Sequence, residues 1–327
     1  MFKIGNKEIK GKVVLAPMAG ITSSGYRSFM ANFKPSIMYT EMISDMGLIY
    51  QNEETLSYLK FKKGDIPVGV QLFGSEVENL AKAALIVKNY VPFIDFIDVN
   101  MACPVPKVTK TGAGSSLLLD PKKCGEIIRR IKEVTGLPVS AKIRLGYYDS
   151  NLNYLEVIKE LEDAGVSFIA LHARSAKQLY AGLPQYELIR NLRDKMNVPL
   201  IISGNIYTAE DAKKALEITK ADAVMVARGG IGNPLLITQI NELLEEGEVK
   251  SISNLDLQIK YCNDLALELI KEKGEDKAIR VYRGIGPKFF SGYKNMKKYK
   301  GLISTSLNDY PSLVEILKQI KEENLNE

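Results

Sequence analysis

The sequence predicts a (β/α)8 barrel, the TIM-barrel fold, followed by a small all-helical C-terminal domain. Short β-rich runs alternate with amphipathic helical patterns eight times, and from about residue 255 onward the patterns are helical without a strand signal. The 327 residues suffice for one large domain and a small appendage. An open doubly wound sheet is the rival fold, but it usually has fewer strands and a GxGxxG first turn, which this sequence lacks.

Eight predicted strands and their spacing set the domain boundaries. The strands are predicted at residues 13–16, 37–41, 68–73, 93–99, 139–144, 167–172, 199–203 and 223–227. The step from the fourth to the fifth is about 45 residues, longer than the others, so the loop after the fourth strand carries extra chain. We expect a barrel over residues 1–245, a linker over 246–254 and a helical domain over 255–327.

The composition is that of an ordinary globular protein. Hydrophobic residues make up 46%, charged residues 25%, and the net charge is +5. The first residues, MFKIGNKEIKGK, carry charges where a signal peptide needs an apolar core, and no uncharged apolar run approaches the ~20 residues that cross a bilayer. We therefore expect a cytoplasmic protein with no membrane partner, and the sequence implies no protein partner.

Cysteine and histidine usage predicts neither a metal site nor a disulfide framework. The chain has only Cys103, Cys124, Cys262 and His172, far apart and without zinc-ligand spacing. Cys124 and Cys262 lie in helical patterns and are interpreted as core residues. Cys103 differs from them because it follows a buried strand directly.

Polar or strand-breaking residues recur where the predicted strands end. In chain order they are Pro17, Met18, Ala19, Gln71, Asn100, Cys103, Lys142, Arg144, His172, Arg174, Asn205, Ala227, Arg228 and Gly229. Because the carboxyl ends of barrel strands meet at one face, this shared placement predicts a single site there.

Lys142 is predicted to point into the barrel. In VSAKIRLG, period-two alternation puts Ser140, Lys142 and Arg144 on one face of the strand. A lysine in a barrel interior is costly unless a polar or anionic ligand meets it, and the edge of a flavin that gains negative charge on reduction would be a fitting partner. A lysine reaching the rim, or a core ion pair, is the alternative.

Glycine turns after the seventh and eighth strands predict a phosphate site. Gly204 and Gly229 let backbone N–H groups approach a phosphate closely, and Arg228 adds a positive charge. The alternative for either turn taken alone is that its glycine only allows a tight turn and binds no phosphate. His172 is interpreted as a hydrogen-bond donor to a cofactor ring or phosphate, and Arg174 as a partner of a nucleotide phosphate or base.

The context of Cys103 suggests an acid. In NMACP, at a strand end beside a glycine-rich loop that we expect to be mobile, a thiol can protonate C5 of a uracil ring that has received hydride at C6. Asn100 offers a donor and an acceptor for the imide edge of such a ring. A core cysteine, or a nucleophile with His172 as its base, are the alternatives.

The C-terminal segment has a basic stretch with aromatic residues. No acidic residue occurs between Lys277 and Lys300, and the basic residues include Arg280, Arg283 and Lys288. Charge with aromatics suits a phosphate backbone and stacked unpaired bases, whereas the alternative is a solvated helix face over a few buried rings.

The chain closely resembles the dihydrouridine synthases, flavin enzymes that modify transfer RNA, and within them the bacterial B-type branch. The segments that carry the resemblance are LAPMAGITSSGYRSF, TEMISDMGL, VQLFGSE, DVNMACPVPKVTKTGAGSSLLLDP, SAKIRLGY, HARSAKQLYAG, SGNIYTAEDA and VMVARGGIGNPLL. Two positions depart from the family pattern: Ser175 stands where threonine is common, and Phe289 where some members have histidine.

The resemblance implies tightly bound FMN in the barrel, NADPH as the electron donor, and reduction of uridine in the D-loop of tRNA held by the helical domain. It assigns the residues around the flavin and its phosphate as Pro17, Met18, Ala19, Gln71, Lys142, His172, Asn205, Ala227, Arg228 and Gly229. It makes Cys103 the acid and puts Asn100 and Arg174 at the uridine, while Arg280, Arg283 and Lys288 are the candidates for RNA contact. An FMN-dependent dehydrogenase of a free pyrimidine or dihydroorotate is the alternative, and a non-catalytic RNA-binding barrel is a third hypothesis.

Overall fold

The computed structural model describes residues 2–61 and 63–324. Within them, the strands are β1 Phe2–Ile4, β2 Lys7–Ile9, β3 Val13–Leu15, β4 Met38–Ser44, β5 Val68–Phe73, β6 Phe96–Met101, β7 Val139–Arg144, β8 Ile169–His172, β9 Leu200–Ser203 and β10 Ala223–Val226. The strands from β3 to β10 form one parallel sheet in which each strand pairs with its neighbours in sequence and β10 pairs with β3. A parallel bridge between Val14 and Ile37 joins β3 to the start of β4, which closes the barrel.

Helices lie between the strands and after the last one. They are α1 Ser24–Ala31, α2 Asp45–Ile49, α3 Glu53–Ser57, α4 Val77–Tyr90, α5 Pro106–Thr109, α6 Pro121–Thr135, α7 Tyr154–Asp163, α8 Ala209–Thr219, α9 Leu235–Glu245, α10 Leu255–Lys273, α11 Glu275–Ile285, α12 Lys297–Gly301 and α13 Tyr310–Asn324. Short 3₁₀ segments occur at Gly114–Leu119, Tyr186–Ile189, Leu192–Lys195, Arg228–Gly230 and Gly286–Phe290, and a π-helical turn at Leu302–Ser306. The predicted fold class, a (β/α)8 barrel with an all-helical C-terminal domain, is confirmed.

The half of the barrel interior nearest the amino-terminal ends of the strands is an aromatic and aliphatic core. The rings of Phe96 and Phe168 lie 5.2 Å apart and that of Tyr39 lies 5.4 Å from Phe96, each measured between ring centroids. Gly69 makes room for this packing, because a Cβ there would lie 2.2 Å from the Phe96 ring. Polar side chains are therefore confined to the other half of the interior, towards the strand carboxyl ends.

A hairpin that the sequence analysis missed covers the amino-terminal end of the barrel. Strands β1 and β2 are joined by a two-residue turn in which Gly5 has φ +57. The Phe2 ring lies 6.1 Å from that of Phe168, and Lys7 pairs with Asp95 at 3.0 Å. The alternation of Phe2, Lys3 and Ile4 before a glycine was the available signal.

The fourth barrel strand begins later than predicted. A turn in which the N–H of Ile94 donates to the carbonyl of Val91 at 3.0 Å delays β6 until Phe96. The strand then continues to Met101, so Asn100 lies inside it. The long loop that follows contains α5 and the 3₁₀ segment Gly114–Leu119, with Gly112 in a turn between them. The mobility of this glycine-rich stretch stays a prediction.

The helical domain packs on the barrel beside two loops of the carboxyl face. On the first, Glu272 of α10 accepts hydrogen bonds from the Ser23 hydroxyl at 2.6 Å and from the main-chain N–H groups of Ser24 and Gly25 at 3.1 and 2.9 Å. On the second, a Cβ at Gly232 would lie 2.3 Å from the main chain of Lys288. The carboxylate of Glu272 thus caps α1 from another domain, where negative charge suits a helix N-terminus.

Four of the five aromatic residues of the basic stretch are core residues, which corrects our expectation that they stack on RNA bases, and the fifth, Tyr293, is half-buried against the same core. Tyr282, Phe289, Phe290 and Tyr299 are at most 1% exposed. They hold the helical domain together instead, because its small size needs large apolar side chains inside. In the described residues, no helix is long and apolar enough to cross a membrane.

We expect Glu272→Ala to lower the free energy of unfolding by about 1–2 kcal/mol, because three donors at the start of α1 lose their acceptor. Urea unfolding measures the change. Glu268→Ala is the matched control one turn earlier in α10, since the carboxylate of Glu268 only approaches Lys271 at 3.8 Å. Equal effects of the two substitutions would contradict the capping role.

Candidate active site

A cavity of about 350 Å³ opens at the carboxyl ends of the barrel strands. It is lined by every residue that the sequence assigned to a cofactor, which are Pro17, Met18, Ala19, Gln71, Lys142, His172, Asn205, Ala227, Arg228 and Gly229, and also by Asn100 and Cys103. Its size is within the range of pockets that hold small molecules. Arg174, Arg280, Arg283 and Lys288 are not among its lining residues.

The charged side chains on the cavity wall are all positive. Lys142, Arg144 and Arg228 line it, and no aspartate or glutamate of the described chain does. The carboxylate of Asp98 lies one layer deeper, fully buried beneath Gln71. A ligand that carries negative charge is therefore favoured here.

Lys142 is perturbed by its surroundings. Burial and, to a smaller extent, the charge of Arg144 lower the pKa of its ammonium to about 8, although Asp98 and Cys103 act in the opposite direction. The lysine does point into the barrel, as the alternation of VSAKIRLG predicts. In the described chain no ion pair or hydrogen bond holds its ammonium, so the side chain is available to a ligand.

His172 is neutral near pH 7. Burial lowers the pKa of its imidazole well below the usual value, and the neighbouring charges of Arg144, Lys142, Arg174 and Arg228 add to this effect. Its Nε2 lies 3.3 Å from Nη1 of Arg174. Because a guanidinium can only donate, Nε2 is the acceptor, and the proton of the neutral ring is on Nδ1.

Two glycine turns bring the backbone to the cavity wall. At Gly229 a Cβ would lie 2.0 Å from the carbonyl oxygen of Ile206, so no other residue fits between the ends of β9 and β10. Gly204 has φ +135 and a Cβ there would touch Pro184 at 3.0 Å. Both turns line the cavity, and so does Arg228, which directly precedes Gly229.

The loop after β3 supplies another part of the wall, and two side chains fix it. The N–H of Met18 donates to the hydroxyl of Thr22 at 2.9 Å, and the N–H of Gly20 donates to the carboxylate of Glu41 on β4. Pro17, which precedes Met18, lines the cavity beside them. Residues 17–19 thus line the cavity on a loop that these two hydrogen bonds hold in place.

Arg174 is fully buried and holds the loop that follows β8. Its guanidinium donates to the carbonyl oxygens of Ala181 at 3.1 Å and Gly182 at 2.6 Å, and to Oδ1 of Asn205 at 3.1 Å. Direct contact between Arg174 and a ligand stays a prediction. In this structure its guanidinium faces the loop.

Tyr180 is a cavity residue that sequence reasoning missed. The guanidinium of Arg228 lies over its ring at 4.3 Å and that of Arg144 at 5.6 Å from the ring centroid. Its ring lies 6.1 Å from that of His172. An aromatic residue in a loop after a barrel strand was the only sequence signal, and it does not tell where the ring points.

Cys103 is half-buried at the cavity wall, and the main chain around it is fixed on three sides. The N–H groups of Ala102 and Cys103 donate to Oδ1 of Asn100 at 3.1 and 2.8 Å. Nε of Arg144 donates to the carbonyl oxygen of Ala102 at 2.8 Å, and the main-chain N–H of Ser115 donates to the carbonyl oxygen of Cys103 at 3.0 Å. The thiol is thereby held at a defined place with access to the cavity.

The glycine-rich segment is pressed against this turn. Gly114 has φ +61, and a Cβ there would lie 2.7 Å from the carbonyl oxygen of Cys103. Glycine is required at this position because any side chain would displace the cysteine. By contrast Cys124 and Cys262 are fully buried, and the structure groups no histidine, cysteine or acidic residues into a metal site within residues 2–61 and 63–324.

Three of the residues that we predicted to bind a nucleotide lie in the helical domain, outside the cavity. Arg280 and Lys288 are exposed, whereas Arg283 is half-buried and donates from Nε to the carbonyl oxygen of Leu307 at 2.7 Å. The main chain of Lys288 packs on Gly232, four residues after Arg228 in the loop that follows β10.

The residues present fit a planar anionic cofactor such as a flavin nucleotide. Arg228 and the two glycine turns line the cavity, where the guanidinium suits a phosphate, and Lys142 and the Nδ1–H of His172 are donors without an acidic neighbour on the wall. Gln71 and Asn100 add amide groups that suit a heterocyclic ring edge.

The fold is similar to that of two solved enzyme structures. Histamine dehydrogenase from Rhizobium sp. 4-9 aligns with a TM-score of 0.58 at 14% identity, over 81% of this chain and 50% of that chain. The old yellow enzyme homologue from Zymomonas mobilis aligns with a TM-score of 0.50 at 12% identity, over 76% of this chain and 93% of that chain. At such identities the likeness concerns the fold alone.

Sequence relatives are more specific. A tRNA-dihydrouridine synthase B from Pasteurella multocida is 31% identical over 281 residues, which are 86% of this chain and 84% of that protein. One from Vibrio vulnificus is 33% identical over 260 residues, 76% of this chain and 80% of that protein. The family model for dihydrouridine synthase (Dus) matches residues 14–323. The chain therefore belongs to the dihydrouridine synthase family.

Proposed function

We propose that this protein is an FMN-dependent tRNA-dihydrouridine synthase that reduces the 5,6-double bond of uridine in the D-loop, with NADPH as the electron donor. The observation that supports this most is one cavity that joins Cys103 at its mouth to Lys142 and the two glycine turns. Names of relatives agree with it, since those from Pasteurella multocida and Vibrio vulnificus are tRNA-dihydrouridine synthases. A tRNA substrate is consistent with a cytoplasmic location.

The cofactor phosphate would be held by Arg228, Asn205 and the backbone around Gly229, with Ala227 beside them. Lys142, His172 and Gln71 would contact the ring or ribityl chain, and Pro17, Met18 and Ala19 would contact it through their main chain. A reduced flavin bound there supplies the hydride that adds to C6 of uracil.

The protein's own task is to hold the base and to deliver a proton. As C6 accepts hydride, negative charge develops at C5 and at the C4 oxygen, and the Cys103 thiol gives its proton to C5. The thiolate regains a proton from water, so that hydride and proton together saturate the double bond. Asn100 lines the cavity near Cys103, and since its Oδ1 already accepts two main-chain N–H groups, its remaining Nδ2–H would be the group that donates to a carbonyl of the base.

A uridine inside folded RNA cannot reach this cavity unless it is turned out of the RNA. The exposed cations of the helical domain would grip the RNA body while the base enters. The packing of that domain beside the loops after β3 and β10, with the main chain of Lys288 against Gly232, supports this role. Arg174 would act through the loop that it holds, and Arg283 would act mainly by fixing Leu307, with Arg280 and Lys288 left for the phosphates.

Cys103→Ala should lower the rate of dihydrouridine formation at least about 100-fold, because the acid is lost while the cavity stays intact. Nucleoside mass spectrometry of tRNA incubated with flavin-loaded enzyme and NADPH measures it. Cys124→Ala, which changes a buried thiol far from the cavity, is the control. An unchanged rate for Cys103→Ala with normal flavin content would rule out its role as the acid.

FMN affinity should fall as pH rises from 7 to 9. Lys142 is charged below its pKa of about 8 and neutral above it, so its attraction for an anion is lost across this range. We expect the dissociation constant to rise at least about threefold, as for the loss of a charge contact worth about 1 kcal/mol. Flavin fluorescence quenching measures it, and Lys142→Met should bind weakly with a flat profile. A parent profile as flat as that of Lys142→Met would exclude a lysine contact.

Arg280→Glu and Lys288→Glu should each weaken tRNA binding to a similar extent for every tRNA, and should reduce the slope of log affinity against log salt by about 1. Filter binding at several salt concentrations tests this, with flavin content as a check on the barrel. Lys10→Glu, an exposed charge near the hairpin on the opposite face, is the matched control. If Lys10→Glu has the same effect, the helical domain does not provide a specific RNA surface.

A further inference from the structure

A chain of buried hydrogen bonds runs from Asp98 to the turn that carries Cys103. Gln71 donates from Nε2 to Oδ2 of Asp98 at 2.6 Å, and Asn100 donates from Nδ2 to Oε1 of Gln71 at 2.8 Å. Oδ1 of Asn100 then accepts the N–H groups of Ala102 and Cys103. Two neighbouring strands, β5 and β6, and the start of the loop after β6 are linked in this way.

The chain has only one consistent direction. An ionised carboxylate only accepts, so Gln71 has to turn its NH₂ towards Asp98 and its oxygen towards Asn100. Asn100 then donates from its NH₂ to the oxygen of Gln71, which leaves its own oxygen to accept from the two main-chain N–H groups. If the amide of Gln71 were reversed, two acceptors would meet at Asp98 and two donors at Asn100.

Water cannot repair a reversal at this depth. Asp98 is 0% exposed, Gln71 1% and Asn100 7%. A second donor, the hydroxyl of Ser140, occupies the other oxygen of the Asp98 carboxylate at 2.5 Å. Burial raises the pKa of Asp98 to about 6, while hydrogen bonds from Gln71 and Ser140 and the charge of Lys142 favour the ionised form, which predominates at neutral pH.

We propose that Asp98 is a positioning residue, which acts through Gln71 and Asn100 to fix the main chain at Cys103. Gln71 and Asn100 then have two tasks, because each also lines the cavity. The inference rests on the proposed function only for its catalytic consequence. The order that it ascribes to the turn can be measured without turnover.

Hydrogen exchange at the amides of Ala102 and Cys103 tests the proposal, since Oδ1 of Asn100 is the acceptor of both. In Asp98→Leu, which removes the acceptor of Gln71, we expect exchange at these two amides to be at least tenfold faster. Mass spectrometry with residue-level fragmentation resolves them, on the enzyme as purified with its flavin content recorded.

Ser140→Ala is the matched control. It removes the other hydrogen bond to the same carboxylate but leaves the bond between Asp98 and Gln71, so exchange at the two amides should stay within threefold of the parent. Asp98→Asn should behave alike, because its amide oxygen can still face Gln71 while its NH₂ faces the hydroxyl of Ser140. The acceptor matters, and the charge serves only to fix its direction.

Gln71→Met breaks the same chain one residue nearer to the cysteine and serves if Asp98→Leu does not fold. It should speed exchange as much as Asp98→Leu, and the double substitution should be no worse than either single one, because the links are in series. Unchanged exchange at Ala102 and Cys103 in a folded Asp98→Leu or in Gln71→Met, or additive effects of the two, would overturn the proposal.

A kinetic measurement separates positioning from general loss of structure. For Asp98→Leu we expect kcat for tRNA reduction to fall about tenfold while KM for tRNA stays within twofold, since the RNA surface is untouched. An equal rise of KM would point to a general structural defect and count against the proposal. Should Cys103→Ala prove fully active, the proposed acid fails, whereas the exchange result stands or falls by itself.

Discussion

The barrel interior accepts charge at only one end, and the remainder of the structure depends on this restriction. Phe96, Phe168 and Tyr39 fill the amino-terminal half, and the hairpin of β1 and β2 packs its Phe2 ring over them. Strand alternation then puts the next inward side chains, Asp98 and Lys142 among them, in the carboxyl half. The apolar amino-terminal half of the interior and the charged carboxyl half together make a ligand site whose floor is defined by the apolar core.

Within that carboxyl half, electrostatics and hydrogen bonding are arranged in layers. The deepest layer is the carboxylate of Asp98, which is matched by donors. Above it the wall is cationic, with Lys142 and Arg228 exposed to the cavity and His172 kept neutral by its surroundings. A negative charge placed below a positive wall lets several cations share one cavity at a lower cost in mutual repulsion.

Much of this site could be predicted from the sequence, because strand ends and period-two alternation are local properties. They identify Lys142 as an inward residue and place Cys103 at the correct rim. The direction in which a loop side chain points is not a local property of the sequence. The sequence therefore does not predict that Arg174 is buried beneath its loop, or that the Tyr180 ring lies against two guanidinium groups. The hairpin was missed since three-residue strands fall below what a pattern can distinguish.

The same limit explains the helical domain. Its basic stretch is visible in the sequence, but whether the interleaved rings face inward depends on how short helices fold back on each other, and Tyr282 and Tyr299 are core residues. The charges around them are mostly exposed, as expected for long cationic side chains on a small domain.

Glu272 joins the two domains through its hydrogen bonds to residues 23–25, although the domains are distinct in architecture. It comes from the last turns of α10, yet it completes the first turn of α1, directly after the loop whose residues Met18 and Thr22 bond to each other at the cavity wall. A barrel cut off before residue 255 would start its first helix with bare N–H groups, three residues from that wall. Any loss of activity after such a cut would report a loosened loop at the cavity wall together with the missing helical domain, so single side-chain changes are the better way to separate the two.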